Sequence, residues 1–255
     1  MFTLDFNEKV VLVTGAGQSI GRTIAEHFAS CGALVAANDI TPVNLDVTVS
    51  NIRQQGGEVR DYVYDVAKKM PAFALIDQII NEWGRIDIVI NSTWVAPSAA
   101  LLSIDEWDWR RTIDVNLSAA LFTMQAAAPV MQTQTNGGVI INMAAVQHHH
   151  RGESENAGVI ATRLAMSGLT QAAAQELAEF NIRVNTVHYE RVDSWRTAHP
   201  AGHQETTPLG LKVTPDETSL SIERKIAALV LRLCSDTSAH ISGQILKGDN
   251  ELDIP

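Results

Sequence analysis

The reading of the chain turns on Val10-Val11-Leu12-Val13-Thr14-Gly15-Ala16-Gly17-Gln18-Ser19-Ile20-Gly21. Val10 to Val13 are aliphatic without polar alternation, the pattern of a parallel strand covered on both faces. Gly15, Gly17 and Gly21 follow at once, and an amphipathic stretch opens at Arg22. Strand, glycine turn and helix in that order let bare backbone N–H groups and a helix N-terminus approach a dinucleotide pyrophosphate. The glycines gain weight from this setting, between a buried strand and a helix.

Outward from the turn, apolar strands alternate with helical patterns. Arg22–Ser30 reads as a helix closed by Gly32, and Ala33–Asn38 as a strand ending at Asp39. Asp39 stands near the distance at which an acidic residue meets an adenosine ribose. Helices over Val43–Gln55 and Pro71–Trp83 flank strands over Glu58–Tyr64 and Ile86–Ile90. Asp105–Gln132 carries the longest helical pattern, bent near Asn116 and interrupted at Pro129. Strands Val139–Met143, Ile182–Val187 and Gln244–Lys247 follow, with helices over Val159–Phe180 and Ser219–Cys234. Glu190–Pro215, with Pro200, Pro208 and Pro215, reads as a loop or lid. The alternation predicts an α/β fold: a Rossmann-like, doubly wound parallel sheet of about seven strands with helices on both faces. At 255 residues, one domain over 1–255 is expected.

Apolar residues make up 45% and charged ones 19%, a globular composition. The net charge of −10 argues against nucleic acid or an anionic membrane as partner. No run approaches the roughly eighteen apolar residues of a membrane span. Met1-Phe2-Thr3-Leu4-Asp5 does not resemble a secretory leader, and Cys31 and Cys234 lack metal-ligand spacing. A cytoplasmic location is the expectation.

Thr14 to Gly21, Asn38-Asp39, Asp65-Val66, Gly84-Arg85-Ile86-Asp87, Val115-Asn116-Leu117, Gly168-Leu169-Thr170 and Ile182-Arg183-Val184-Asn185 together resemble the short-chain dehydrogenase/reductase pattern. That resemblance implies that Gly15, Gly17, Ser19, Ile20 and Gly21 face a pyrophosphate. It places the ribose at Asp39, which favours NAD over NADP, the adenine at Asp65 and Val66, and a further cofactor contact at Asn91. It also implies a tyrosine acid/base, a lysine four residues later that lowers the tyrosine pKa, a serine and an asparagine. Anchoring on Gly168-Leu169-Thr170 puts Val159 at the tyrosine position and Arg163 at the lysine position, with Ala144 or Ala145 at the serine. Only Asn116 matches. Valine transfers no proton, and acid/base catalysis is typically worth ~10²–10⁴-fold. No catalytic residue is therefore expected in this chain.

Further departures fall on the same cleft. Asn91-Ser92-Thr93-Trp94 stands where the family has Asn-Asn-Ala-Gly, and Tyr189-Glu190 stands where it has Pro-Gly. NAD binding here is expected to be vestigial, weak or absent. The pattern resembles two-subunit dehydrogenases that pair a degenerate subunit with an active one, such as hydroxy(phenyl)methylsuccinyl-CoA dehydrogenases of anaerobic toluene breakdown. By that resemblance the partner is a paralogous active subunit carrying NAD, in a hetero-oligomer, as a tetramer. Small residues Ala161, Ala165, Ala172, Ala173 and Ala174 permit close helix approach, and Trp107 and Trp109 are candidate anchors.

Two alternatives stand beside this reading. One is a homomeric dinucleotide sensor without turnover, resting on the intact turn. The other is altered chemistry carried by His148-His149-His150, Glu153 or Tyr189. Consecutive histidines do not share one face and lack further ligands nearby, so no metal site is expected.

Overall fold

The computed structural model describes residues 4–97, 99–146, 157–190 and 217–248. Seven parallel strands form one sheet in the order β3-β2-β1-β4-β5-β6-β7. They are β1 Val10–Thr14, β2 Leu34–Asp39, β3 Glu58–Val63, β4 Ile88–Asn91, β5 Gly138–Val146, β6 Ile182–Glu190 and β7 Ile245–Lys247. The helices are α1 Ser19–Ser30, α2 Pro42–Gln54, α3 Lys69–Trp83, α4 Glu106–Ile113, α5 Ala119–Gln132, α6 Ala157–Leu177 and α7 Glu217–Cys234. The doubly wound fold read from the sequence is the one observed.

The apolar run of β1 now has its reason. Val11 and Val13 point into a core with α1, α2 and α7, whereas Val10 and Leu12 point into a second core with α3 and α5. A strand buried on both faces needs no polar alternation. Strand order reverses between β1 and β4, and the crevice beyond their C-terminal ends is where such folds place ligands.

Several boundaries differ from expectation, each for a local reason. The first helix starts at Ser19, three residues before the amphipathic pattern becomes visible at Arg22, because the turn glycines lead directly into it. The bend expected near Asn116 is a π-helical turn, Asp114–Ser118, joining α4 to α5. Pro129 lies inside α5 without ending it. β6 continues through Glu190, which was read as loop, by pairing with the extended end of β5. The loop expected up to Pro215 falls, from residue 191 on, outside the described residues.

Two polar clamps hold the sheet in register. Asp87, buried at the entry to β4, accepts the Val10 N–H at 2.9 Å and a two-point contact from Arg85 at 2.9 and 2.6 Å. Its own N–H donates to the Val10 carbonyl and its carbonyl accepts from Val139, so one residue sets β1, β4 and β5. At the β3 edge, Glu82 of α3 accepts from Arg60 at 2.8 Å, Tyr62 at 2.7 Å and Gln78 at 2.8 Å. Hydrogen bonds from Arg60, then Gln78 and Tyr62, hold the Glu82 carboxyl down to about 2.

Asp87→Ala strands the buried Val10 N–H and is expected to cost about 2–3 kcal/mol in urea denaturation. Because the folded Glu82 pKa is depressed, its contribution is complete above the ordinary carboxylate value and fades as pH falls from there towards about 2. The melting-temperature gap between wild type and Glu82→Gln should therefore be widest near neutrality and narrow below about pH 4.5.

Candidate functional site

At the head of the crevice the glycines leave room that no other residue could. Gly15 has φ +66°, and a Cβ on it would sit 2.8 Å from the Ser92 carbonyl oxygen of the strand next door. A Cβ on Gly21 would run into the Gly15 carbonyl. Gly17 donates its N–H to Asp39 Oδ2 at 3.0 Å, while Asp39 Oδ1 accepts from the Thr41 N–H at 2.9 Å. Ser19 opens α1 with φ +48°, a left-handed conformation that favours glycine. Ile20 and Gly21 are buried behind it. This half of the crevice could hold an adenosine diphosphate: α1 presents its N-terminus there, and Asp39 stands at the end of β2.

Asp65 caps Ala67 with Oδ1 at 3.1 Å, and Val66 is buried in the second core, so both sit at the β3 end where an adenine would lie. Asn91 is placed differently from the expectation. Its side chain donates to Asn142 Oδ1 at 2.8 Å and accepts from Thr123 at 2.5 Å. Asn142 in turn donates to Thr170 Oγ1 at 2.9 Å, which lies 2.7 Å from Thr186 Oγ1. The Asn91 amide is thus committed to a buried polar chain across β4, β5, α6 and β6, and any cofactor contact from Asn91 falls to its backbone.

The other half of the crevice is a recess of about 220 Å³, part of it open to solvent. Trp94, Asn116, Met143, Ala144, Ala145, Val159, Thr162, Arg163 and Met166 line it. The structure therefore brings together the four positions singled out from the sequence, Asn116, Ala145, Val159 and Arg163. Asn116 spans the mouth of the β4 loop, accepting the Val95 N–H at 2.8 Å and donating to the Val95 carbonyl at 2.8 Å. Val159 is 1% exposed, and Trp94 packs its ring against the first core.

The chain has three tyrosines, and none lines this recess. Tyr62 and Tyr64 donate to Glu82 and Gln78 at the far sheet edge. Burial, followed by its bond to Glu82, pushes the Tyr62 phenol up, away from any acid/base range. Tyr189 is buried beside Ala145 in the strand register and packs into the first core. His148, His149, His150 and Glu153 lie outside the described residues, as does the Glu190 side chain.

The profile of the family described as enoyl-(acyl carrier protein) reductase matches residues 15–250. The chain belongs to the short-chain dehydrogenase/reductase family. It is 33% identical to the 3-oxoacyl-(acyl-carrier-protein) reductase FabG of Thermotoga maritima, over 96% of this chain and 98% of that one. It is 29% identical to subunit BbsD of (2S)-((R)-hydroxy(phenyl)methyl)succinyl-CoA dehydrogenase from Thauera aromatica, over 95% and 96%. Among solved structures, an NAD⁺-bound xylitol dehydrogenase superposes with a TM-score of 0.78 at 26% identity, covering 95% of this chain and 98% of that one.

Within this short-chain dehydrogenase/reductase fold, three features had little or no signature in the sequence reading. The polar chain was foreshadowed only by Asn91 and Asn142 inside apolar strands. His188, half-buried on β6 with Nε2 3.3 Å from Ser167 Oγ, stood out by nothing. Glu223 of α7 is buried against α1, yet in sequence it reads as one of several helix-face charges.

Burial lowers the His188 pKa, and the nearby cations Arg163 and Lys247 lower it further. Removing one cation must relax that shift, so Arg163→Gln should raise the His188 pKa, read from imidazole resonances in an NMR titration. An unchanged value would place Arg163 elsewhere.

Proposed function

We propose that this chain is a non-catalytic short-chain dehydrogenase/reductase subunit that assembles with an active paralogue into an NAD-dependent alcohol dehydrogenase. The observation that carries the reading is the lining of the recess. Val159, Arg163 and Ala145 surround the place where a secondary alcohol would have to lose its proton, and the three phenols lie elsewhere. With no group among the described lining residues to take that proton, hydride transfer has no acid/base partner there. Arg163 keeps a positive charge, but none of the three phenols lines the recess for it to activate.

Assembly is supported by a surface that α6 leaves open. Ala161, Leu164, Ala165, Gly168 and Ala172 are all exposed and recur at helical spacing, and a Cβ on Gly168 would meet nothing within 4 Å. Leu164 is 63% and Trp107 of α4 64% exposed. A small-residue stripe flanked by a bulky apolar one suits a close helix pair with another subunit. The bond partner in this reading is a hetero-oligomeric tetramer's active subunit, which holds the NAD. A secondary alcohol, or a hydroxyacyl-CoA as the name of the Thauera relative indicates for that protein, is the substrate class.

The intact glycine cradle and Asp39 favour a second reading, a homomeric dinucleotide sensor without turnover. It requires NADH affinity from the chain alone, lost on Asp39→Ala.

Co-expression with the adjacent dehydrogenase of its genome, followed by size-exclusion chromatography, should yield a mixed complex. Leu164→Glu with Ala165→Glu should dissolve it while leaving the far-UV circular dichroism unchanged. A chain that stays alone under co-expression overturns the assembly, and turnover of secondary alcohols by the isolated chain overturns the lack of catalysis. In the triple variant Ala145→Ser, Val159→Tyr, Arg163→Lys, activity of the isolated chain is expected to stay at least about 10²-fold below that of the complex, because Trp94 still occupies the recess wall.

A further inference from the structure

The two halves of the crevice treat a dinucleotide differently. Hydride transfer needs the nicotinamide ring in contact with the carbon that bears the alcohol, so the ring must reach the recess shared by Asn116, Ala145, Val159 and Arg163. Although part of that recess opens to solvent, its described lining leaves room for about one water. Trp94 stands in its wall and packs against the first core. A planar ring carrying a carboxamide is several times larger than the space that remains.

The polar groups of the lining point the same way. A carboxamide taken out of water must find hydrogen-bond partners. Asn116 spends its amide on the Val95 N–H and carbonyl, and the Thr162 hydroxyl donates back to the Gly158 and Val159 carbonyls of its own helix. Arg163 supplies donors alone. The nicotinamide half of the cofactor that this fold implies therefore does not fit the residues present.

The adenosine half does fit. Each Asp39 oxygen accepts one backbone N–H, from Gly17 or from Thr41, and keeps a lone pair for a ribose hydroxyl. Ser92, whose backbone walls the Gly15 turn, is 8% exposed, and its hydroxyl has no hydrogen-bond partner. Asn38 Oδ1, next to Asp39 at the end of β2, is buried and unpaired as well. Buried polar atoms are ordinarily satisfied, and here two that are not lie on strands to either side of β1.

We infer that the crevice of this chain takes an adenine nucleotide with free ribose hydroxyls, and that Trp94 shuts the nicotinamide of a dinucleotide out of the recess. The inference rests on the non-catalytic reading above and gives that subunit a ligand of its own. Burying an aromatic ring is ordinarily worth about tenfold or more in affinity, and NADH forgoes that gain here. ADP-ribose should bind as well as NADH does.

Saturation-transfer difference NMR on the full-length chain with NADH reads the two ends of the ligand separately. The adenine protons should receive saturation and the nicotinamide protons should not. Comparable transfer to both ends overturns the inference, and so does transfer to neither. In calorimetry NADH should bind within about threefold of ADP-ribose, and a larger preference for NADH overturns it. ADP should bind more tightly than adenosine, through the start of α1, and equal affinities overturn that part. Trp94→Gly should bring saturation to the nicotinamide protons and give NADH an advantage of about tenfold over ADP-ribose. A folded variant whose nicotinamide protons stay silent overturns Trp94 as the barrier; should the variant not fold, the wild-type spectrum decides. Turnover of secondary alcohols by the isolated chain counts against the non-catalytic reading, whereas nicotinamide contact in an inert chain counts against this inference alone.

Discussion

The close passage of the β1 turn under the end of β4 is the constraint on which this molecule depends. Gly15 lies so near the Ser92 carbonyl, and Gly21 so near Gly15, that any side chain would force the strands apart. Gly17 is held the same way against Asp39, which ties the turn to the end of β2. These contacts are internal to the protein. They require glycine whether or not a cofactor ever enters, because they set how α1 leaves the sheet and how β1 sits between β2 and β4. A fold of this kind cannot surrender the motif whatever chemistry stands beside it.

That distinction explains how much could be read from the sequence. β1, β2, β4 and β5 announced themselves through apolar runs that two-sided burial demands, and Gly32, Gly56 and Gly84 closed the expected helices where positive φ was needed. Counting from Gly168 placed Val159 and Arg163 one helical turn apart, and α6 carries both to one recess. Illegible were features made by distant elements meeting. Nothing local tells Glu223 from Arg224 or Lys225, since which face of α7 turns to α1 is settled by the packing of Ile226, Ala227 and Val230. The packing role of Asn91 was hidden for a related reason. The resemblance implies a cofactor contact there, while the side chain faces Asn142 on the neighbouring strand, a register that only the folded sheet defines.

The recess shows what aliphatic residues at positions 145 and 159 do for packing. A buried phenol and hydroxyl demand partners, and an unsatisfied one costs about 1–3 kcal/mol. Val159 and Ala145 make no such demand, and both are buried without a polar atom to satisfy. Strained, polar active sites commonly trade stability for reactivity. Here packing has the larger share: Trp94 lies against the core, and Met143, Ala144, Ala145 and Val159 line the recess. Arg163 is the exception, a long cation beside His188 whose alkyl part covers the apolar wall while its charge acts on the β6–β7 side.

The polar chain from Thr123 through Asn91, Asn142 and Thr170 to Thr186 bears on the same point from the opposite direction. It lies directly beneath the recess and is complete, each amide and hydroxyl meeting its neighbour. Losing any one member would leave buried partners unpaired whatever reaction stands nearby. Each member is satisfied by a protein partner from a neighbouring element, which assigns the chain to the sheet. It fixes β4, β5 and β6 against α5 and α6, and so holds in place the helix that carries the exposed stripe of Ala161, Leu164, Ala165, Gly168 and Ala172.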